Sequence, residues 1–201
     1  MLVEASAAIL AGGRARRFAG RDKSRLIVEG HSIIHRQVEV LHRVAKTVFI
    51  ISSNAERFAD LSLPVFPDAV AGAGAIGGIF TALEVSTHEH VLVVACDLPF
   101  LDAGLLSKLV ELTAAADTDA AWVRSDRGPE PMLACYRRCA KRAIRREIDA
   151  GRLKASDLGS ALRVAELPVS ELTRFGEPSR LLANINSSED YERIRAKRVK
   201  E

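Results

Sequence analysis

Long apolar runs are missing from these 201 residues: Val91-Leu-Val-Val-Ala-Cys96 falls far short of the ~20 residues that a bilayer-spanning helix needs. Cysteine is scarce and odd in number. Cys96, Cys135 and Cys139 make no paired framework, which excludes a disulfide scaffold and points to a reduced, intracellular setting. An excess of one charge sign is missing too: 29 Lys and Arg against 26 Asp and Glu leave +3, too balanced for a generic nucleic-acid binder. No secretion signal is expected, because Glu4 precedes the first short apolar run and Arg14, Arg16 and Arg17 follow it, the reverse of a basic-first signal peptide. No internal repeat occurs. A soluble, cytoplasmic protein is expected, with neither membrane nor nucleic acid as partner.

What is present is an ordinary globular composition, 48% apolar and 27% charged, which excludes disorder and collagen-like structure. At roughly 150 residues per domain, residues 1–201 are expected to form a single domain. Short β-branched runs alternate with segments of helical period, the pattern of an α/β fold with helices packed on a mostly parallel sheet. The strands are expected at Ala5–Leu10, Thr47–Ser52, Pro64–Phe66, Val91–Ala95, Ala120–Val123 and Met132–Tyr136, several without alternation and so buried on both faces. Helices are expected at Ser32–Ala45, with Ser32 as cap and Ile34, Val38, Leu41 and Ala45 on one face. Others are expected at Ile76–Val85, Asp102–Ala115, Lys141–Ala150 and, closing the chain, Ser187–Val199, whose acidic first turn suits the helix dipole.

Two Gly-rich stretches, Ala11–Gly20 and Ala71–Gly78, follow predicted strands, where open α/β sheets bind ligands. The first continues Leu10-Ala-Gly-Gly into Arg14, Arg16, Arg17, Arg21 and Lys23, so backbone N–H groups freed by glycine stand beside cations, as a triphosphate requires. It is neither G-x-G-x-x-G nor a P-loop. Taken alone, the charge run is a surface turn of solvated arginines. Asp97 ends an apolar strand, followed by Pro99, which cannot extend a ladder. In isolation it reads as a capping or salt-bridged aspartate; beside a Gly-Arg-Lys loop on another strand end, a Mg²⁺ ligand is the better reading.

Leu10-Ala-Gly-Gly13 with Lys23, Ser52-Ser-Asn54, Phe66-Pro-Asp68, Gly72-Ala-Gly-Ala-Ile-Gly-Gly78, Cys96-Asp-Leu-Pro99, Glu130-Pro-Met132 and Asn184-Ile-Asn186 follow one another as in the molybdenum cofactor guanylyltransferases, which the chain resembles over nearly its whole length. The resemblance implies a Rossmann-like, three-layer α/β/α fold of the nucleotide-diphospho-sugar transferase type. It implies transfer of GMP from Mg·GTP to the terminal phosphate of molybdenum-molybdopterin, with release of pyrophosphate. Carried over, Leu10, Ala11, Gly12 and Gly13 line the nucleotide, Lys23 neutralises its phosphates with Arg17 as a second cation, and Asp68 contacts the nucleotide. Asp97 matches the Mg²⁺ ligand and a nucleotide contact. Ser52 and Asn54 align with polar residues of the nucleotide site, Ser52 offering a shorter group where the family often has asparagine. Gly77 and Gly78 match a loop-to-helix turn suited to the base or the acceptor, and Glu130-Pro131 either belongs to the motif set or only shapes a loop. Asn184 and Asn186 match the acceptor side, the alternative being turn formation before Ser187. Molybdopterin-synthesis proteins, molybdoenzymes and their chaperones are the partners so implied.

Other readings stay open. Cytidylyl relatives usually carry Leu-Ala-Ala-Gly, so Gly12 favours guanylyl transfer; sugar-phosphate nucleotidyltransferases are generally longer; a non-catalytic GTP-binding delivery module has less need of both Asp97 and Lys23. His31, His35, His42, His88 and His90 have no zinc spacing and read as solvated or capping residues, and Cys135 and Cys139 as small core or surface thiols. The cluster Arg137, Arg138, Lys141, Arg142, Arg145 and Arg146 is a solvated helix face or an attractor for an anionic pterin phosphate or a partner.

Overall fold

A computed structural model describes residues 4–12, 23–115 and 117–197. Its first strand, β1 (Ala5–Leu10), is buried at every position. Small residues at Ala5, Ala7 and Ala8 let layers close on both sides of it. The other strands of the main sheet are β4 (Thr47–Ile51), β5 (Val65–Phe66), β6 (His90–Ala95), β7 (Ala120–Ser125), β8 (Gly128–Arg137) and β9 (Val164–Pro168). Their order is β5-β4-β1-β6-β8-β7-β9. Only β8 runs against its neighbours; every other pairing is parallel.

The chain thus builds outward from β1 through β4 to β5, then returns to place β6 on the other side of β1. In open α/β sheets ligands bind at the carboxyl ends of the strands where the order reverses in this way. Two hydrogen bonds extend the ladder past the strand ends, Ala11 N–H to the Ile51 carbonyl at 3.0 Å and Cys96 N–H to the Leu10 carbonyl at 3.2 Å. The first ties the loop after β1 to β4, and the second holds the loops after β1 and β6 side by side.

Helices α1 (Ile33–His42) and α3 (Ala103–Ala114) cover one face through Ile34, Leu41, Leu106 and Leu109, which pack with Ala7 and Ile9 of β1. Helices α2 (Gly74–Val85) and α4 (Lys141–Asp149) cover the other through Ile76, Ile79, Leu83 and Ile144, which pack with Ala8 and Leu10. The period-2 alternation of β1 therefore feeds two cores. Ser32 caps α1 as expected, its Oγ accepting from His35 N–H. Ser187 caps α6 (Ser188–Lys197): Asp190 N–H donates to Ser187 Oγ at 3.2 Å, and Asp190 Oδ2 accepts from Ser187 N–H at 3.0 Å. The described part of α6 ends at Lys197, and Val199 lies outside the described residues.

Three differences from expectation have local causes. β8 is twice the expected length because it continues past an irregularity, where adjacent Trp122 and Val123 face Ala134 and Glu130. A hairpin of β2 (Ile27–Val28) and β3 (His31–Ser32) and the edge strand β9 are too short or too polar to read as strands. The hairpin nevertheless packs Leu26, Val28 and Ile33 on Phe100 and Ile185, with Tyr191 and Ile194 of α6. His88 is not simply solvated: its Nδ1 shares a hydrogen bond with Ser6 Oγ at 2.9 Å, and burial lowers the pKa of His90 at the start of β6. Both lie at the amino-terminal edge of the sheet, opposite the carboxyl ends of the strands.

Ile9→Ala would remove a fully buried side chain from the central strand. The expected loss is about 2–5 kcal/mol, read as a lower denaturant midpoint at unchanged slope.

Candidate functional site

At the carboxyl end of β1 the chain meets the exit of β5 and the start of α2. A Cβ on Gly12 would stand 3.4 Å from Asp68 Oδ2; one on Gly78 would stand 3.3 Å from Leu10 Cδ1 and 3.7 Å from Asp68 Oδ1. Leu10, Gly12, Asp68 and Gly78 therefore border one cleft, with glycine leaving backbone exposed on two sides of a carboxylate. Gly77 has a different reason to be glycine: its Cβ would meet Ala73 Cβ at 2.8 Å, so it serves the packing of the loop onto α2. Thr81 fixes the same loop, its Oγ1 accepting from Ala69 N–H at 2.9 Å and donating to the Gly77 carbonyl at 2.8 Å. Burial raises the Asp68 carboxyl above its ordinary range.

Ser52 directly follows β4 and is buried, with its N–H on the carbonyl of Phe66, two residues before Asp68, and its Oγ accepting from Asn54 N–H at 3.3 Å. Asn54 Oδ1 accepts from Arg57 N–H, at the entry of the 3-10 helix Glu56–Leu61. Both side chains thus shape the turn between β4 and that 3-10 helix. Gly13 and Arg17 lie outside the described residues.

One strand away, Asp97 leaves β6 in a partly buried turn. Its carbonyl accepts from Ile185 N–H at 3.0 Å, which seats Asn184 and Asn186 beside it. Lys23 Nζ donates to the Asn186 carbonyl at 2.7 Å and approaches Asn186 Oδ1 at 3.5 Å. Burial raises the Asp97 carboxyl, the Lys23 ammonium opposes that rise, and the Glu130 carboxylate adds to it. Lys23, Asp97 and Asn186, expected from three distant segments, therefore meet at one point. Ser125 Oγ donates to Glu130 Oε1 at 2.8 Å and keeps that second carboxylate on its wall.

The family model for the MobA-like NTP transferase domain matches residues 7–164. Probable molybdenum cofactor guanylyltransferases of Pelotomaculum thermopropionicum and Carboxydothermus hydrogenoformans are 32% and 31% identical, over 96% and 93% of this chain and 93% of each relative. A solved structure of molybdopterin-guanine dinucleotide biosynthesis protein A from Archaeoglobus fulgidus aligns with TM-score 0.81 and 28% identity, over 98% of this chain and all of that one. The chain belongs to the MobA-like NTP transferase family. It is a nucleotidyltransferase.

On the far side of Asp97 this MobA-like transferase has a cavity of about 570 Å³, whose wall includes Phe100, Arg127, Arg180, Asn184 and Arg193. Arg180 lies 3.8 Å above the Phe100 ring centroid and Arg36 5.5 Å from it, and Glu29 accepts from Arg180 at 2.6 Å while pairing with Arg36 at 3.3 Å. This stack was not legible in the sequence, since its members come from the hairpin, α1, the β6 exit and α5 (Pro178–Leu181). The α4 cluster does not supply the cavity's basic wall: Arg137 pairs with Glu89, Lys141 with Glu84 and Arg145 with Asp149. No helix among the described residues is long and apolar enough to cross a membrane.

The raised Asp68 carboxyl has a sign that can be checked. A folded-state pKa above the unfolded one means that the folded state binds more protons, so this group's contribution to stability falls as pH rises from about 3.8, the ordinary value, through the raised one. Asp68→Asn is expected to remove that slope. The melting temperature of the ligand-free variant should gain on the wild type between pH 4 and pH 7, while nucleotide binding weakens.

Proposed function

We propose that this transferase moves GMP from Mg·GTP to the terminal phosphate of molybdenum-molybdopterin and releases pyrophosphate. The observation that carries the reading is the meeting of Lys23, Asp97 and Asn186 between the Leu10–Gly12, Asp68 and Gly78 cleft and the cavity lined by Asn184. The cleft would hold the donor and the cavity the acceptor, so that their phosphates face each other across Asp97.

An acceptor phosphate oxygen attacks the α-phosphorus, a new P–O bond forms, and the bond to the bridging oxygen breaks as pyrophosphate leaves. The nucleophile is already ionised, because a phosphate monoester loses its second proton near pH 6. No general base is required of the protein. Its work is alignment and charge neutralisation. Gly12 and Gly78 leave room for the nucleotide, Lys23 would carry its charge to the β- and γ-phosphates, and Asn184 and Asn186 would orient the acceptor.

A divalent cation fits the donors present. Asp97 and the neighbouring Glu130 are hard oxygen groups, and burial makes the Asp97 charge costly without a counter-ion. Among the described residues no group of three or more acidic, histidine or cysteine side chains could cage a metal alone. That suits Mg²⁺, which takes one or two carboxylates and completes its sphere with phosphate and water. Bound there, it would neutralise the triphosphate. We assign the reaction to the cytoplasm, where Cys96, Cys135 and Cys139 stay thiols.

Melting the protein with Mg²⁺ and each of GTP, ATP, CTP and UTP tests the donor. GTP at 100 times its dissociation constant should add about 2.7 kcal/mol. Preference for CTP would move the assignment to cytidylyl transfer. Asp97→Ala should keep the fold and lose turnover with molybdenum-molybdopterin; full activity in that variant would refute the site. Gly12→Ala, which adds a methyl beside Asp68 at an ordinary contact distance, should fold and shift the GTP-to-CTP binding ratio toward CTP.

A further inference from the structure

Helix α1 meets the β6 exit with two consecutive polar side chains. Gln37 has no exposed surface, and its Nε2 donates to the Ala95 carbonyl at 2.8 Å and the Leu98 carbonyl at 2.9 Å. Those two residues bracket Cys96 and Asp97. Beside it, Arg36 Nε donates to the Pro99 carbonyl at 3.1 Å. The turn's own closing bond, Leu98 N–H to the Ala95 carbonyl, is longer at 3.4 Å, so the amide of α1 is the tighter link across it. Gln37 Oε1 has no hydrogen-bond partner among the described residues. A buried amide with an orphan oxygen is costly on a helix face otherwise built from Ile34 and Leu41. What it supplies in return is both donations, and both go to the backbone that carries Asp97.

We propose that Gln37 is a positioning residue: its amide clamps the β6-exit turn to α1 and sets where the Asp97 carboxylate meets the donor phosphates and their cation. The inference rests on the role given to Asp97 above. The same clamp reaches the acceptor side, because the Asp97 carbonyl holds Ile185 N–H between Asn184 and Asn186. A misplacement of about 1 Å costs on the order of 100-fold in rate, so a small relaxation of this turn is felt in turnover.

Gln37→Met keeps the length and apolar bulk of the side chain and removes both donors; Gln37→Asn keeps the amide and withdraws it by one methylene. Thr113→Val serves as the stability control, since it deletes a buried hydroxyl that bonds the Leu109 and Val110 carbonyls at the far end of α3. Two readouts are taken: kcat and KM for GTP with molybdenum-molybdopterin, and amide hydrogen exchange of residues 96–98 and 185 in the ligand-free protein. Gln37→Met is expected to lower kcat by roughly tenfold or more with KM for GTP within about threefold, and to speed exchange at those amides about tenfold. Gln37→Asn should fall between it and the wild type, and Thr113→Val should lower the melting temperature with neither change. Wild-type kcat and exchange in Gln37→Met would overturn the proposal, as would the same kcat loss in Thr113→Val; if Gln37→Met does not fold, Gln37→Asn decides by the same criteria. Asp97→Asn, measured in parallel, separates the two readings: full turnover there defeats the role of Asp97 itself, whereas loss there with an unaffected Gln37→Met defeats only the clamp.

Discussion

The parallel pairing of β1 with β6 governs everything at the ligand edge. Parallel strands bring their carboxyl ends to the same side, and the bond from Cys96 N–H to the Leu10 carbonyl carries that alignment past the sheet into the two loops. Neighbouring strands are about 4.8 Å apart. The cleft at Gly12 and the carboxylate at Asp97 are therefore separated by about one strand spacing, the span that the proposed triphosphate would have to bridge. Because the chain order reverses between these strands, the loops diverge there and leave the crevice open.

The site is built from carboxylates that the fold makes uncomfortable. Asp68 and Asp97 both sit where burial disfavours their charge, and the Lys23 ammonium opposes that effect at Asp97 through charge alone. Contrast Arg163, which grips Asp119 through two nitrogens and lowers its pKa at the surface. Electrostatic preorganisation works in this direction: groups aimed at charge that arrives with the substrate stabilise the loaded state and cost the empty one. Polar groups behind them hold the arrangement in place, Thr81 under the Asp68 loop, Ser125 on the Glu130 carboxylate and the Asp190 carboxylate on the N–H groups of Asn186 and Ser187.

Much of this arrangement is legible in the amino-acid sequence. The run of small and branched residues in β1 and the carboxylate just past β6, followed by Leu98 and Pro99, carry their structure locally, because a strand buried on both faces needs continuous small or branched residues and a ladder cannot continue through proline. The caps Ser32 and Ser187 were legible for the same reason: a capping hydroxyl acts within three residues. Gln37 was hidden inside an apolar helical period, and the Glu29, Arg36, Phe100 and Arg180 stack joins segments up to 151 residues apart, a separation over which side-chain chemistry has no local signature.

The sequence by itself determined the alternation of strands and helices, the positions of the loops that follow β1 and β6, and the residue types those loops present, since each depends on interactions within a few residues. Only the tertiary structure decided that Lys23 lies on Asn186, that Gly12 and Gly78 face the same carboxylate, that Gly77 is a packing glycine, and that an amide of α1 holds the Asp97 turn. Those relations depend on which strands become neighbours, and strand order is set by the burial of two whole sheet faces at once, a property of the assembled layers rather than of any one segment.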